Sequence, residues 1–280
     1  MNDSAREPDL SWPCDRPMRI ALVLVAKAAV SGRVKTRLIS PLVSAQQAAD
    51  VQIAFLKFLR NLVETLAESG SHRFPQAAVG AAPQLSMANT VCTDDFVIQP
   101  LLFIDPLGQP LEQFNWPGWR TIFQPPGDLG DRMRFCAQVC LAEKADAMIF
   151  IGVDSVHLNL ALLRWMAQDL LKSQAVMLPA HDGGYVALGL RPEALPLLDN
   201  IAWGSALVCR QTLDRAVNLR IALSIGDQLP DVDTPDDLRL VMAAMASRQD
   251  NAARELYTCL RSMMIATHSG DTRHDESRND

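Results

Sequence analysis

Two uninterrupted apolar runs constrain the fold of this chain more than any other feature. Residues 19–26 read RIALVLVA and residues 147–154 read AMIFIGVD, and neither run alternates between apolar and polar positions. A strand of this kind is covered on both faces, as in a parallel sheet with helices above and below it. The two runs therefore predict an α/β fold in which both are buried strands.

Helical and extended patterns alternate along the rest of the chain. Helices are predicted at about 44–68, in the second half of 125–145, and at 160–172, 205–217, 235–246 and 251–266; shorter strands are predicted near 77–80, 100–105, 121–124, on both sides of a Gly-Gly turn within 175–190, and at 220–225. This alternation predicts a three-layer α/β/α sandwich with a mainly parallel sheet. We expect strands 19–26, 147–154 and 175–180 to be neighbours in that sheet.

Length and composition limit the number of domains and the kinds of partner that this chain can have. One domain over residues 18–267 fits the length, and the polar segments 1–17 and 268–280 are expected to be disordered tails. A net charge of -6 argues against a nucleic-acid partner, and no apolar run is long enough for a membrane span or a signal peptide. The six cysteines form no CxxC pair, so we expect Cys136 and Cys140 to be buried apolar residues, and reduced thiols in a cytoplasmic protein.

A basic loop follows the first apolar run. It carries Lys27, Arg33, Lys35 and Arg37 around Gly32, with no acidic residue among them, in a chain that is acidic overall. Cationic side chains and backbone N–H groups in a glycine-containing loop after a buried strand are typical of a phosphate site. The loop matches neither the Walker A pattern nor GxGxxG. A solvated surface loop without a ligand is the alternative.

Three acidic positions are candidate metal ligands, and two of them, Asp154 and Asp182, lie beyond the carboxyl ends of strands, where ligands are expected in a sheet of this type. Asp154 ends the second apolar run, Asp182 precedes two glycines, and Asp233 precedes Thr234-Pro235, a helix-start pattern. Carboxylates suit Mg²⁺ or Mn²⁺ bound together with substrate phosphates. Helix caps and a hairpin turn are the alternatives for these residues.

Six blocks in this order resemble the bacterial DUF2064 family of GT-A glycosyltransferase-like proteins, relatives of guanylyltransferases such as 2-phospholactate guanylyltransferase. The blocks are AKAAVSGRVKTRL, LGDRM, FIGVDS, LPAHDGGYVALGL, IAWGS and DVDTPDDL. The resemblance implies the fold of nucleotide-diphospho-sugar transferases. One departure is His181, which stands where the family usually has an acid.

The resemblance also implies roles for individual residues. Nucleotide phosphates would be bound by the basic loop, with Lys35, Asp154 and Asp182 as catalytic residues. Metal ligands would be Asp154 with Asp182 or Asp233. The acceptor pocket would be formed by Gly183, Gly184, Tyr185, Trp203 and Gly204. For Trp203, packing in the core is the alternative.

The expected function is a metal-dependent transferase, using Mg²⁺ or Mn²⁺, that binds a nucleotide-sugar or a nucleoside triphosphate and a small-molecule acceptor. Glycosyl transfer is the first expectation. The alternatives are nucleotidyl transfer to a small phosphorylated acceptor and a non-catalytic nucleotide-binding protein of the same fold. The sequence does not indicate the oligomeric state.

Overall fold

The central sheet is built around the first apolar run. The computed structural model describes residues 12–13, 15–41, 43–70, 95–109 and 114–268. Within these ranges the strands are β1 (Met18–Lys27), β2 (Phe96–Asp105), β3 (Arg120–Phe123), β4 (Ala147–Gly152), β5 (Ala175–Pro179), β6 (Tyr185–Leu190) and β7 (Leu223–Ile225). They form one sheet in the order β3-β2-β1-β4-β6-β5-β7. The strand expected at 77–80 lies outside the described residues.

Helices cover both faces of this sheet. The described α-helices are α1 (Ala45–Gly70), α2 (Leu129–Ala142), α3 (Leu160–Asp169), α4 (Val208–Leu219), α5 (Pro235–Ser247) and α6 (Asn251–His268). One core lies between the sheet and helices α1, α3, α5 and α6, and a second core lies between the sheet and helices α2 and α4. Strand β1 alternates between them, since Ile20 and Leu22 belong to the first core and Ala21 and Val23 to the second. No described helix has the length and apolar character needed to cross a membrane.

The predicted fold class is confirmed, with one correction to the strand neighbours. Strands β1 and β4 are adjacent and parallel, as expected, and β2 and β3 continue the parallel half. Strand β5 is not next to β4, because β6 lies between them and pairs antiparallel with both. The chain reverses at Asp182-Gly183-Gly184, and β6 returns into the gap beside β4.

Local sequence signals explain where several helices begin. Helix α5 begins at the predicted helix start with a capping box: Thr234 accepts from the backbone of Asp237, whose carboxylate accepts from the backbone of Thr234. Ser44 caps α1 in the same way with Gln47. Cys136 and Cys140 are buried in the second core without a disulfide, as predicted.

Trp12 and Arg16 anchor the N-terminal segment to the body of the domain. The Trp12 backbone N–H donates to the Leu171 carbonyl at 2.8 Å. The Arg16 guanidinium lies 5.0 Å from the Trp12 ring centroid and forms an ion pair with Asp146 at 2.6 Å. Trp12 and Arg16, which belong to the segment 1–17 expected to be a tail, therefore have partners on the body of the domain. Residues 1–11 and 269–280 lie outside the described residues.

The Arg16–Asp146 pair predicts a pH-dependent stability. Burial opposes ionisation of Asp146, but hydrogen bonds from Arg16 and the Arg19 backbone lower its pKa below the ordinary value of 3.8. A carboxyl group whose pKa is lowered by folding stabilises the protein at pH values above its pKa in the unfolded state. This stabilisation is lost as the pH falls through its pKa in the folded state. Arg16→Ala should therefore lower the urea midpoint at pH 7, and the difference from wild type should shrink below pH 3.8.

The control for this measurement is Arg261→Ala, which removes an exposed arginine from α6. An Arg16→Ala midpoint equal to that of the control at pH 7 would mean that the anchor contributes nothing to stability.

Candidate functional site at the carboxyl ends of the strands

The site lies at the edge of the sheet where β1 and β4 end. These strands are parallel and in register from Ile20 opposite Ala147 to Val25 opposite Gly152. The loop after β1 and the loop after β4 therefore leave the sheet side by side. This is the edge at which open α/β sheets bind ligands.

The basic loop after β1 is fixed by apolar anchors. Ala28, Val34 and Leu38 are buried, and residues 36–38 form one turn of 3₁₀-helix. Gly32 has φ 72°, a conformation that glycine adopts without steric cost. Arg33 and Arg37 remain exposed between the anchors, so the loop holds cations at the surface on a fixed backbone.

Lys35 is placed differently from the other cations of the loop. It adopts a left-handed conformation with φ 49°, and its side chain is only 4% exposed. Its ammonium group forms an ion pair with Asp154, donates to the Val232 carbonyl at 3.0 Å and lies 4.7 Å from the Phe55 ring centroid. Lys35 thus joins the loops after β1 and β4 to the segment before α5, and its charge compensates Asp154.

A cleft of about 700 Å³ opens beside this ion pair. We call it the basic cleft; its charged lining residues are Lys27, Arg33, Lys35, Arg37, Arg132, Asp154 and Asp233. Five of the seven are cationic, although the chain carries net charge -6. A concave surface with this excess of cations suits the phosphates of a nucleotide. The sequence-predicted phosphate residues other than Gly32 all line it.

Arg132 and Gln124 complete the far wall of the basic cleft and were not identified from the sequence. The Arg132 guanidinium donates to the Gln124 side-chain oxygen at 3.0 Å and to the Gly127 carbonyl at 3.1 Å. Gln124 in turn donates to the Ala26 carbonyl at 2.9 Å. The block LGDRM was the available signal for Arg132, but only the fold brings α2 to the end of β1.

A smaller pocket of about 200 Å³ adjoins the basic cleft. We call it the acidic pocket; its lining consists of Gly152, Asp154, Ser155, Ala180, Asp182, Gly184, Tyr185, Val186, Asp231 and Asp233. Gly152, Asp154 and Asp233 line both cavities, so the two meet at the end of β4. The three predicted metal-binding aspartates therefore face one pocket.

Asp231 is the fourth carboxylate of the acidic pocket, and the sequence reasoning did not select it. Burial raises the pKa of Asp231, and the nearby charges of Asp182, Asp233 and Asp237 raise it further. Burial is the larger cause of the raised pKa, and the neighbouring carboxylates add to it. The only sequence signal was its place two residues before Asp233.

The donor chemistry of the acidic pocket fits a divalent cation, but a complete ligand set is not preassembled. No group of three or more His, Cys, Asp or Glu side chains in the described part of the chain is arranged to hold a metal ion. Asp154 is paired with Lys35, and Asp233 is paired with Arg37 at 2.6 Å. One or two carboxylates with water and phosphate oxygens are a common Mg²⁺ environment, so the aspartates present would suffice.

The residues expected to form the acceptor pocket divide into two groups. Gly184 and Tyr185 line the acidic pocket, whereas Gly183, Trp203 and Gly204 line neither cavity. A Cβ atom on Gly130 would lie 2.1 Å from the indole nitrogen of Trp203, and the Tyr185 ring lies edge-on to Trp203 at 6.2 Å. This placement favours a packing role for Trp203. Gly183 supports the pocket indirectly, because its carbonyl accepts from the Cys209 backbone at 2.8 Å.

Another groove, of about 580 Å³, lies between α1, the start of α3 and the turn before α6. The cation in its lining is Arg248, which binds Asp250 and the Leu158 carbonyl. With Glu64 and Glu68 also in the lining, this groove is a poorer match for phosphate than the basic cleft.

Two glycines with positive φ provide a matched test of how the pocket is supported. Gly183 has φ 91°, and a Cβ atom there would lie 2.2 Å from the Ala206 carbonyl oxygen; Gly204 has φ 78° with open space around it. Gly204→Ala should lower the free energy of unfolding by about 1–2 kcal/mol, because alanine is disfavoured in the left-handed conformation. Gly183→Ala should lower the free energy of unfolding, measured in urea, clearly more than Gly204→Ala does, because the backbone at Ala206 must also shift. Equal costs would mean that the two segments are not packed as described.

Comparison with solved structures finds the same fold in another protein. A protein of Desulfovibrio desulfuricans G20, provisionally named a nucleotide-diphospho-sugar transferase, has 22% sequence identity and a TM-score of 0.67, with 89% of this chain and 97% of that chain covered. This similarity confirms the predicted fold.

Two further structures are more distant. The 4-diphosphocytidyl-2C-methyl-D-erythritol synthase of Anaerococcus prevotii DSM 20548 has 10% identity and a TM-score of 0.47, with 80% and 96% of the two chains covered. A CMP:2-keto-3-deoxy-manno-octonic acid synthetase in complex with CTP has 14% identity and a TM-score of 0.45, with 81% and 98% covered.

The family comparison covers the middle of the chain. No curated protein matches the sequence significantly. A protein-family match covers residues 88–205. This segment includes the LGDRM, FIGVDS, LPAHDGGYVALGL and IAWGS blocks but neither the basic loop nor Asp233. Residues 88–205 match the DUF2064 family, described as an uncharacterized protein conserved in bacteria, and this confirms the family resemblance of the sequence motifs.

Proposed function

We propose that this chain is a metal-dependent transferase that binds a nucleotide-sugar and transfers its glycosyl group to a small-molecule acceptor. The observation that carries the proposal is the division of charge at the ends of β1 and β4. A cleft rich in cations and a pocket rich in carboxylates meet at Asp154. Such a site can bind diphosphate on one side and an acceptor on the other.

The cations of the basic cleft would bind the diphosphate in two ways. Lys27, Arg33 and Arg37 are exposed and can donate directly to phosphate oxygens. Arg37 would exchange its partner Asp233 for a phosphate, which would release the Asp233 carboxylate. Lys35 would stay buried and hold Asp154 at the junction of the two cavities.

Asp154, with Asp182 or Asp233, would hold the Mg²⁺ or Mn²⁺ ion. When bound, this ion neutralises charge on the diphosphate and on the leaving group. In the transfer, the acceptor oxygen bonds to the anomeric carbon, and the bond from that carbon to the phosphate oxygen breaks. The nucleoside diphosphate leaves with the electron pair, and the acceptor proton passes to a carboxylate of the acidic pocket.

The phosphate role predicts a loss of nucleotide affinity when exposed cations are removed. Arg37→Ala should weaken binding of GDP-mannose or UDP-glucose by about 10- to 100-fold, since a charged hydrogen bond contributes about 1.5–3 kcal/mol. Isothermal titration calorimetry with Mg²⁺ or Mn²⁺ present measures this. The matched control is Arg210→Ala on α4, since Arg210 and Arg37 are similarly exposed, at 78% and 76%. Equal affinities in the two variants would exclude the basic cleft as the phosphate site.

The metal role predicts that Asp154→Asn abolishes the dependence of nucleotide binding on Mg²⁺ or Mn²⁺. The same change leaves the buried Lys35 charge without its carboxylate, so the variant should also melt at a lower temperature. The double variant Lys35→Met, Asp154→Asn removes both charges and should recover part of the lost stability, but not the metal dependence. Titrations with and without metal, together with thermal melts, separate the two effects. Retained metal dependence in both variants would contradict the proposal.

A further inference from the structure

The lining of the acidic pocket carries charge of one sign. Its charged members are the four aspartates at 154, 182, 231 and 233, and it includes no Lys, Arg or His. Lys35 and Arg37 compensate Asp154 and Asp233 from the side of the basic cleft. In the part of the chain that the structure describes, neither Asp182 nor Asp231 has an ion-pair partner. The pocket therefore keeps a net negative charge.

Backbone N–H groups near the pocket are not free to bind an anionic ligand. The Gly184 N–H donates to the Asp182 carboxylate at 2.8 Å. The N–H groups of Asp233 and Thr234, at the start of α5, both donate to the Asp237 carboxylate, at 3.1 and 2.8 Å. Such groups bind anionic ligands when they are free. Here the protein's own carboxylates already occupy them.

We infer that the acceptor is a neutral polyhydroxy or amino-bearing molecule, and that acceptors carrying a phosphate or carboxylate are excluded. The inference rests on the proposed function and concerns the same site. Hydroxyl and ammonium groups donate hydrogen bonds to carboxylates, whereas an anionic group would add repulsion in a partly enclosed pocket. One divalent cation would compensate at most two of the four carboxylates and would also serve the donor's diphosphate. The alternative reaction, nucleotidyl transfer to a phosphorylated acceptor, is disfavoured on the same ground.

The experiment compares neutral or amino-bearing acceptors with phosphorylated acceptors of the same carbon skeleton. The full chain is incubated with Mn²⁺, either GDP-mannose or UDP-glucose, and one acceptor from a matched set: glycerol or glycerol 3-phosphate, and glucose, glucosamine or glucose 6-phosphate. Product formation is followed by mass spectrometry and expressed as kcat/KM. The kcat/KM for glycerol should exceed that for glycerol 3-phosphate by at least tenfold, equivalent to about 1.4 kcal/mol. The kcat/KM for glucose or glucosamine should exceed that for glucose 6-phosphate by the same factor.

Charge-neutral variants test whether the aspartates cause the selection. Asp231→Asn and, separately, Asp231→Ser should raise the ratio of phosphorylated to neutral acceptor by about tenfold while nucleotide affinity stays unchanged. The control, Asp236→Asn, alters an aspartate of α5 that is 85% exposed and does not line the pocket, and it should leave the ratio as in wild type. Two variants are used so that one misfolded protein does not decide the result.

The outcomes separate this inference from the proposed function. A protein that binds neither nucleotide-sugar fails the proposed function itself. A protein that binds nucleotide-sugar but prefers the phosphorylated acceptors, or whose ratio is unchanged in both variants, overturns the inference. Bound nucleotide-sugar without transfer to any neutral or amino member would also count against it.

Discussion

The ion pair between Lys35 and Asp154 is the interaction on which the site depends. It joins the loop after β1 to the loop after β4, and the same ammonium group binds the Val232 carbonyl before α5. Three segments far apart in sequence are thereby fixed around one point at the edge of the sheet. The left-handed conformation of Lys35 is part of this arrangement, because a non-glycine residue in that region carries strain that its surroundings must offset.

The division of charge follows from this geometry. Asp154 lies at the boundary, with the cations of the β1 loop and of α2 on one side and Asp182 and Asp231 on the other. A diphosphate and an acidic pocket repel each other unless cations lie between them, and Lys35 and Arg37 lie there. We therefore regard the two cavities as halves of one site: the basic half would bind the donor, and the acidic half would select the acceptor.

Particular residues show how far sequence reasoning reached. The runs at 19–26 and 147–154 predicted two parallel neighbours correctly, because a strand buried on both faces leaves an unbroken apolar pattern. The insertion of β6 beside β4 was missed, since strand order depends on long-range pairing that no local pattern encodes. Arg132 and Asp231 were missed for a similar reason: each carries an ordinary local signal, and only the fold brings it to the site. Lys35 was expected to contact phosphate, but its burial against Phe55 cannot be read from the loop sequence.

The central claim is that the nucleotide's phosphates lie in the basic cleft, with the metal at Asp154. The most direct measurement is a crystal structure of the chain with GDP-mannose or UDP-glucose and Mn²⁺, in which anomalous scattering locates the metal. The account predicts a manganese peak within bonding distance of the Asp154 carboxylate, and diphosphate density next to Arg33 and Arg37. Diphosphate density in the groove beside Arg248, or a manganese peak away from Asp154, would contradict it.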